Sequence, residues 1–287
     1  MEWIAGLAGL AITLIVLLYA FETVILPRRV TQRFRLSRLF YRVTWVLFSS
    51  VARRIRSVGR RDNFLALYGP FSLISLLAIW ASSLVLGFAM LQWSLHLEII
   101  SPDPDREVTF FTYLYLSGSS FFTLGYGDVL PLTPLARGLA VVESGSGLSF
   151  LALVIGYLPA LNSAFSVREV HVSLLDERAG SPPTALELLR RHYQGDDVAG
   201  IDLILHDWER WTAELLESHL SYPVLGYFRS QHDNQSWVAA LTMILDASAL
   251  VVVGMNNSSA RQAQLTFAMA RHAAVDLTQV LGTKPRP

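Results

Sequence analysis

The residues with the plainest chemistry in this sequence stand six in a row: Thr123, Leu124, Gly125, Tyr126, Gly127 and Asp128, reading TLGYGD. Glycine reaches φ > 0 at little cost, so two glycines one residue apart let backbone handedness alternate. Alternation turns successive carbonyls toward one line, and such a row of oxygens can replace the water shell of a bare cation. Thr123 adds a hydroxyl to its carbonyl at the inner end. Tyr126, directed away from that line, can brace the backbone. Asp128 sits at the outer end, where its charge and that of the acidic loop Glu98–Glu107 raise the local cation concentration.

Such a segment needs a protein frame around it, because non-helical backbone at membrane depth survives only when buried in protein or lining water. The composition supplies one. Hydrophobic residues make up 52% and charged ones 16%, with a mean hydropathy of +0.40; an average soluble chain is roughly 25% charged. Trp3–Leu26 is long enough to cross a hydrocarbon core of about 30 Å. Arginines follow rather than precede it, which fits a retained helix and not a cleaved signal. Asn63–Leu97 holds no Asp, Glu, Lys or Arg, and its core Phe71–Leu97 reads as a second span. Leu135–Leu161 reads as a third. TLGYGD lies between those two, behind the apolar, aromatic stretch Thr109–Phe122.

The charges balance at 23 basic and 23 acidic, but unevenly along the chain. Arg28–Arg61 carries eleven arginines and no acid. Short basic loops stay in the cytoplasm, which places the N-terminus outside and this segment inside. Within it, Leu39–Ala52 is too short to span and reads as an amphipathic helix in the inner interface, meeting the bilayer and its anionic lipids through the arginines. Arg35, Arg38 and Arg42 also have the spacing of a voltage-sensing helix. Only one span precedes them, though, and no acidic partner helices shelter the charge. From Phe165 onward there are ten basic and fourteen acidic residues, and the pattern is helical over Ala185–Tyr193, Ile201–Leu220 and Ser259–Leu281. Trp237–Val253 is apolar enough to rival a membrane span. Its lone Asp246 would be costly at mid-bilayer, which favours a buried core helix. A nucleic-acid partner is excluded because the positive charge forms one block beside apolar spans. The absence of cysteine excludes disulfides, thiolate metal sites and cysteine nucleophiles.

TLGYGD, with Thr109–Phe122 before it, Pro131 and Thr133 after it and Gly147 twenty residues beyond Gly127, resembles the potassium-channel pore family, whose filter is usually written TVGYGD. The resemblance covers about Phe71–Leu161 and implies a helix–pore loop–helix module. It implies a filter of Thr123, Leu124, Gly125, Tyr126 and Gly127 binding K⁺ as the permeant ion, Asp128 at the outer mouth, and Gly147 as a hinge in the inner helix. Leu124 stands where the family commonly has valine. Its backbone supplies the ligand, so the change bears on the packing behind the filter. One chain holds one filter; the class closes its cage with four, so a homotetramer follows. The expected fold class is an all-α membrane protein: residues 1–27 an N-terminal membrane helix, 28–66 a basic interfacial segment, 67–165 the pore module and 166–287 a cytoplasmic helical domain.

Other features attach to this frame. Glu143 is an acid inside the third span, and intramembrane acids are functional hypotheses by default. It can support the filter through Ser119 or Ser120 of the pore helix or through another group behind the filter, or reach the outer interface near Arg137. Pro159 can weaken the inner helix near its cytoplasmic end. Leu148, Leu151 and Ile155 share one stripe and fit an apolar cavity lining. Of His206, Asp207 and Glu209 only His206 and Glu209 share a helix face, with no third ligand predictable, so no metal site beyond K⁺ is expected. No nucleotide-binding glycine motif or catalytic constellation appears, so the chain is not expected to be an enzyme. The expected activity is passive, K⁺-selective conduction across the cell membrane. The alternatives are a weakly selective cation channel, should Leu124 distort the filter, and a membrane sensor or scaffold with a non-conducting pore.

Overall fold

The computed structural model describes residues 2–24, 36–100, 107–192, 199–230, 235–254 and 259–282. Arg28, Arg29, Arg33 and Arg35 of the basic segment, and Asp103, Asp105 and Arg106 of the acidic loop, lie outside the described residues. In chain order the elements are α1 (Glu2–Val24), α2 (Leu36–Ala52), α3 (Val58–Ala66), α4 (Tyr68–Ser94), β1 (Ile99–Ile100), α5 (Phe110–Phe121), β2 (Leu130–Pro131), α6 (Pro134–Ala179), α7 (Ala185–His192), α8 (Ala199–Ser221), α9 (Trp237–Gly254) and α10 (Ser259–Leu281). A 3₁₀ turn, Pro223–Tyr227, joins α8 to the chain leading into α9. Among the described residues four helical stretches are long and apolar enough to cross a membrane: Glu2–Glu22, Val58–Ser94, Pro134–Ala179 and Trp237–Gly254. At 1.5 Å per residue the 27 residues of α4 extend about 40 Å.

The chain forms two compact units. The first comprises Met1–Leu26 and Ser72–Pro159. Here α1 crosses α4 at small residues: a Cβ on Gly9 would stand 2.6 Å from the Gly87 carbonyl oxygen, and one on Gly87 would stand 3.0 Å from that of Gly9. With no hydrophobic drive between helices in lipid, such close backbone approach is how membrane helices gain contact. Ala81, Leu84 and Phe121 pack together beneath Val16, Val85 and Phe150, while Ala89, Leu97, Tyr113 and Ala136 form a second cluster. A two-rung antiparallel ladder, Ile99 with Pro131 and Ile100 with Leu130, ties the ends of the chain on either side of α5.

The second unit comprises Pro27–Phe71 and Ala160–Pro287. Its core is built from Val172, Leu175 and Ala179 at the end of α6, Trp208, Trp211 and Leu215 of α8, Ile244 and Ala247 of α9, and Ala270, Ala273 and Leu277 of α10. α9 buries Trp237, Ala240, Leu241, Ile244 and Val251, a helical face. The linear reading set residues 28–66 apart from 166–287; the fold groups them. The reason is aromatic packing. Tyr227 stacks on Tyr41 of α2 with centroids 5.4 Å apart, and lies 5.7 Å from Trp45 and 5.4 Å from Tyr68. Arg229 pairs with Asp62 of α3 at 2.7 Å. The third span also runs further than the apolar run suggests: α6 is a single helix of 46 residues that continues through Pro159.

Candidate functional site

The site begins with α5, a helix of 12 residues that stops at Phe121. Its start is capped locally, the Thr109 backbone N–H donating to the Thr112 hydroxyl at 3.2 Å. The Tyr113 hydroxyl, one turn in, donates to the Leu97 carbonyl at 2.9 Å. At its end the Phe122, Thr123 and Leu124 amides return to the carbonyls of Gly118, Ser120 and Ser119. These bonds turn the chain back on itself and launch the TLGYGD segment.

In that segment φ is +54° at Thr123, +61° at Gly125 and +76° at Gly127, with Leu124 and Tyr126 between them outside the left-handed region. The alternation expected from the two glycines is present and begins one step earlier, at a threonine. Left-handed backbone is costly for a β-branched residue, and nothing in the letter Thr announces it. A Cβ on Gly125 or Gly127 would meet no atom of this chain. Those glycines therefore answer to backbone conformation, not to crowding within the chain. Every residue from Phe122 to Asp128 is exposed. Tyr126, expected as a brace, is 69% exposed and has no hydrogen bond within the described chain. The tyrosine that grips the outer end is Tyr115 of α5, whose hydroxyl donates to Asp128 Oδ2 at 2.8 Å, while the Val129 amide donates to Oδ1 at 3.0 Å. Sequence reasoning missed Tyr115; its signal was a place two turns back from the end of α5.

Glu143 of α6 is fully buried, so it does not reach an interface near Arg137, whose Nε instead donates to the Pro131 carbonyl at 3.2 Å. Nor are Ser119 and Ser120 its side-chain partners. Gln92 Nε2 donates to Glu143 Oε2 at 2.8 Å, and Ser117 Oγ contacts Oε1. Ser117 Oγ also lies 2.7 Å from the Val85 carbonyl oxygen. The seating of α5 decides this: Ser119 is turned about 200° away from Ser117, and Ser120, on nearly the same face, lies about 4.5 Å further along the axis. Ser120 does take part, but through its carbonyl, which accepts from the Ser144 hydroxyl at 2.9 Å.

Gly147, expected as a hinge, is a contact in this structure. A Cβ there would stand 2.7 Å from the carbonyl carbon of Phe121 and nearer still to its oxygen. The helix passes Gly147 and Pro159 unbroken. Leu148, Leu151 and Ile155 share an exposed face of α6. Leu148 and Leu151 also border a cavity of about 530 Å³ that reaches Ile74 of α4, Val154 of α6, Phe121 and Thr123. Away from this unit, Glu209 is engaged by Gln262 Nε2 at 2.6 Å, and no group of three His, Cys, Asp or Glu able to hold a metal occurs among the described residues.

Two membrane-length helices, with a short helix and a left-handed-alternating segment between them, define a membrane protein with a pore-module architecture. Residues 74–162 match the family described as "Ion channel"; they form an ion-channel pore domain. Among curated proteins the chain is similar to "Uncharacterized membrane protein YdjJ" of Bacillus subtilis (strain 168), 23% identical over 197 residues, covering 69% of this chain and 57% of that protein. It is also similar to "Protein LctB" of Bacillus caldotenax, 32% identical over 84 residues, covering 26% of this chain and 62% of that one. The chain thus spans about three-fifths of the length of each. No solved structure matches.

Proposed function

We propose that the chain is one of four identical subunits of a potassium-selective channel that conducts passively. One observation carries this: φ is positive at residues 123, 125 and 127, in a segment whose residues Phe122–Asp128 are all exposed on the single chain. A row of oxygens on one side of a cation is not a cage. Copies related by a fourfold axis complete it, and Tyr126, Leu148, Leu151 and Ile155 gain neighbours at the same time. The Asp128 carboxylate, held by Tyr115, lies at the outer mouth, and Thr123 closes the inner end.

In this reading the N-terminus faces outward and the second unit lies in the cytoplasm. The exposed arginines Arg42, Arg53, Arg54, Arg56 and Arg60 face the anionic inner leaflet, each worth about 1 kcal/mol of attraction there.

The test is K⁺ flux from liposomes holding the purified protein, with reversal potentials in mixed K⁺ and Na⁺ and native mass spectrometry for the assembly. A tetramer that passes K⁺ and rejects Na⁺ supports the proposal. Equal passage of both ions supports the weakly selective reading, with Leu124 at fault. A tetramer that passes neither ion, beside a working control channel, supports the sensor or scaffold.

A further inference from the structure

Ser117 Oγ faces two acceptors, the Val85 carbonyl oxygen and Glu143 Oε1, yet a hydroxyl carries one hydrogen. A carbonyl can only accept. If Ser117 donates to Val85, the Glu143 contact needs its hydrogen from the carboxyl itself. The opposite oxygen, Oε2, is already supplied by Gln92. The count closes in one way that satisfies all three contacts: Gln92 donates to Oε2, Glu143 Oε1–H donates to Ser117, and Ser117 donates to Val85.

We propose that Glu143 is a neutral carboxylic acid and the positioning residue of the filter, locking α5 between α4 and α6. This rests on the channel reading for its consequence, not for its geometry. Gln92 and Val85 belong to α4, Ser117 to α5, and none of the three ionises. Glu143, Gln92 and Ser117 are all buried, so water does not stand in for a lost partner. The neighbouring bond from Ser144 to the Ser120 carbonyl grips the last turn of α5, whose Ser119 and Ser120 carbonyls receive the Leu124 and Thr123 amides. Turning or sliding α5 therefore moves the first filter residues. A carboxylate in the same place would leave the Val85 contact without a hydrogen.

The discriminating variant is Glu143→Gln. An amide keeps both roles, its NH₂ donating to Ser117 and its oxygen accepting from Gln92. Glu143→Gln should hold the K⁺-over-Na⁺ preference within about twofold, while Glu143→Ala, which strands buried polar groups, should lower it about tenfold or more with the assembly retained. Should Glu143→Ala fail to assemble, Ser117→Ala removes the relay alone and should show a smaller loss of the same kind. Infrared difference spectra of wild type against Glu143→Gln should show the C=O band of a protonated carboxyl, shifted in Ser117→Ala. Absence of that band, or a Glu143→Gln variant as damaged as Glu143→Ala, overturns the proposal. Unaltered selectivity in Glu143→Ala overturns the positioning role. Wild-type protein that carries the band but passes no K⁺ refutes the channel reading and leaves the acid assignment standing.

Discussion

Gly147→Ala puts two accounts of the third span in direct conflict. As a hinge, Gly147 would bend the inner helix, and alanine would change how often the channel opens without touching which ion it prefers. The packing argues otherwise. A Cβ at Gly147 would lie 2.7 Å from the Phe121 carbonyl carbon, against an ordinary contact of 3.4 Å, so that carbon must retreat by at least 0.7 Å and its oxygen by more. The obstacle is backbone at the end of α5, two residues before Thr123, and no rotamer change relieves it. Overpacking of this kind costs about 1–3 kcal/mol, and a shift of that size is large for a cage whose ligands must fit one ion. Gly138, on the same helix, has nothing within 4 Å of its Cβ position, so Gly138→Ala should gain up to about 1 kcal/mol of helix propensity instead. Reversal potentials under mixed K⁺ and Na⁺, with thermal stability of the purified protein, separate the cases. Gly147→Ala should lose ion preference and stability together, and Gly138→Ala neither. A Gly147→Ala channel with wild-type reversal potential and changed open probability would refute the contact argument and restore the hinge.

Tyr115→Phe removes the hydroxyl that holds Asp128; K⁺ current should decay faster under sustained activity while native mass spectrometry still shows the wild-type assembly. Arg168 is buried with its guanidinium donating to Glu169 and to the Leu225 and Phe228 carbonyls. Arg168→Met should cost about 3–5 kcal/mol by stranding those groups, roughly 6–20 °C in melting temperature. Burial pushes the His219 imidazole down to about 3 from its ordinary 6.5. The unfolded chain therefore binds a proton that the folded one refuses. Stability of the second unit should fall as pH drops below 6.5, by up to about 1.4 kcal/mol per unit, and His219→Gln should flatten that slope in chemical denaturation series. Between pH 6.5 and 4.5 this precedes the loss of the Glu187 ion pairs with Arg190 and Arg191, which hold that carboxylate down to about 2.

The parts of the site that depend on local backbone were legible in the sequence, because glycine at 125 and 127 is the letter that a left-handed residue demands. The helices long and apolar enough to cross a membrane were legible because length and apolarity are summed along the chain. Ser259–Leu281 matches α10 residue for residue, a consequence of a clean amphipathic period. What failed to show was anything that depends on rotation or on distant partners. Ser117, Ser119 and Ser120 look alike in sequence, and only the seating of α5 aims Ser117 at Glu143. Gln92 stands 51 positions from its partner. The left-handed Thr123 follows from the bonds that close α5, and residue type alone argues against it. The helix runs past the apolar stretch Leu135–Leu161 for a simpler reason: apolarity marks a length suited to lipid, whereas Val172, Leu175 and Ala179 extend the helix by packing in a second core.

The turn at Pro223–Tyr227 gives that second core its mechanical character. On one side Arg168 of α6 holds the Leu225 and Phe228 carbonyls at 3.0 and 2.9 Å. On the other, Tyr227 enters the rings of Tyr41, Trp45 and Tyr68, and Phe228 lies where a Cβ on Gly69 would stand 2.6 Å from its ring. Tyr68 in turn donates to the Tyr41 carbonyl at 2.9 Å, fastening the first residue of α4 to α2. Carbonyls bonded to a buried guanidinium and rings packed against one another couple the two sides, because close-packed groups pass displacement on. A movement of this one turn must therefore shift α6 at Arg168 and α4 at Tyr68 together, or break the contacts that hold it.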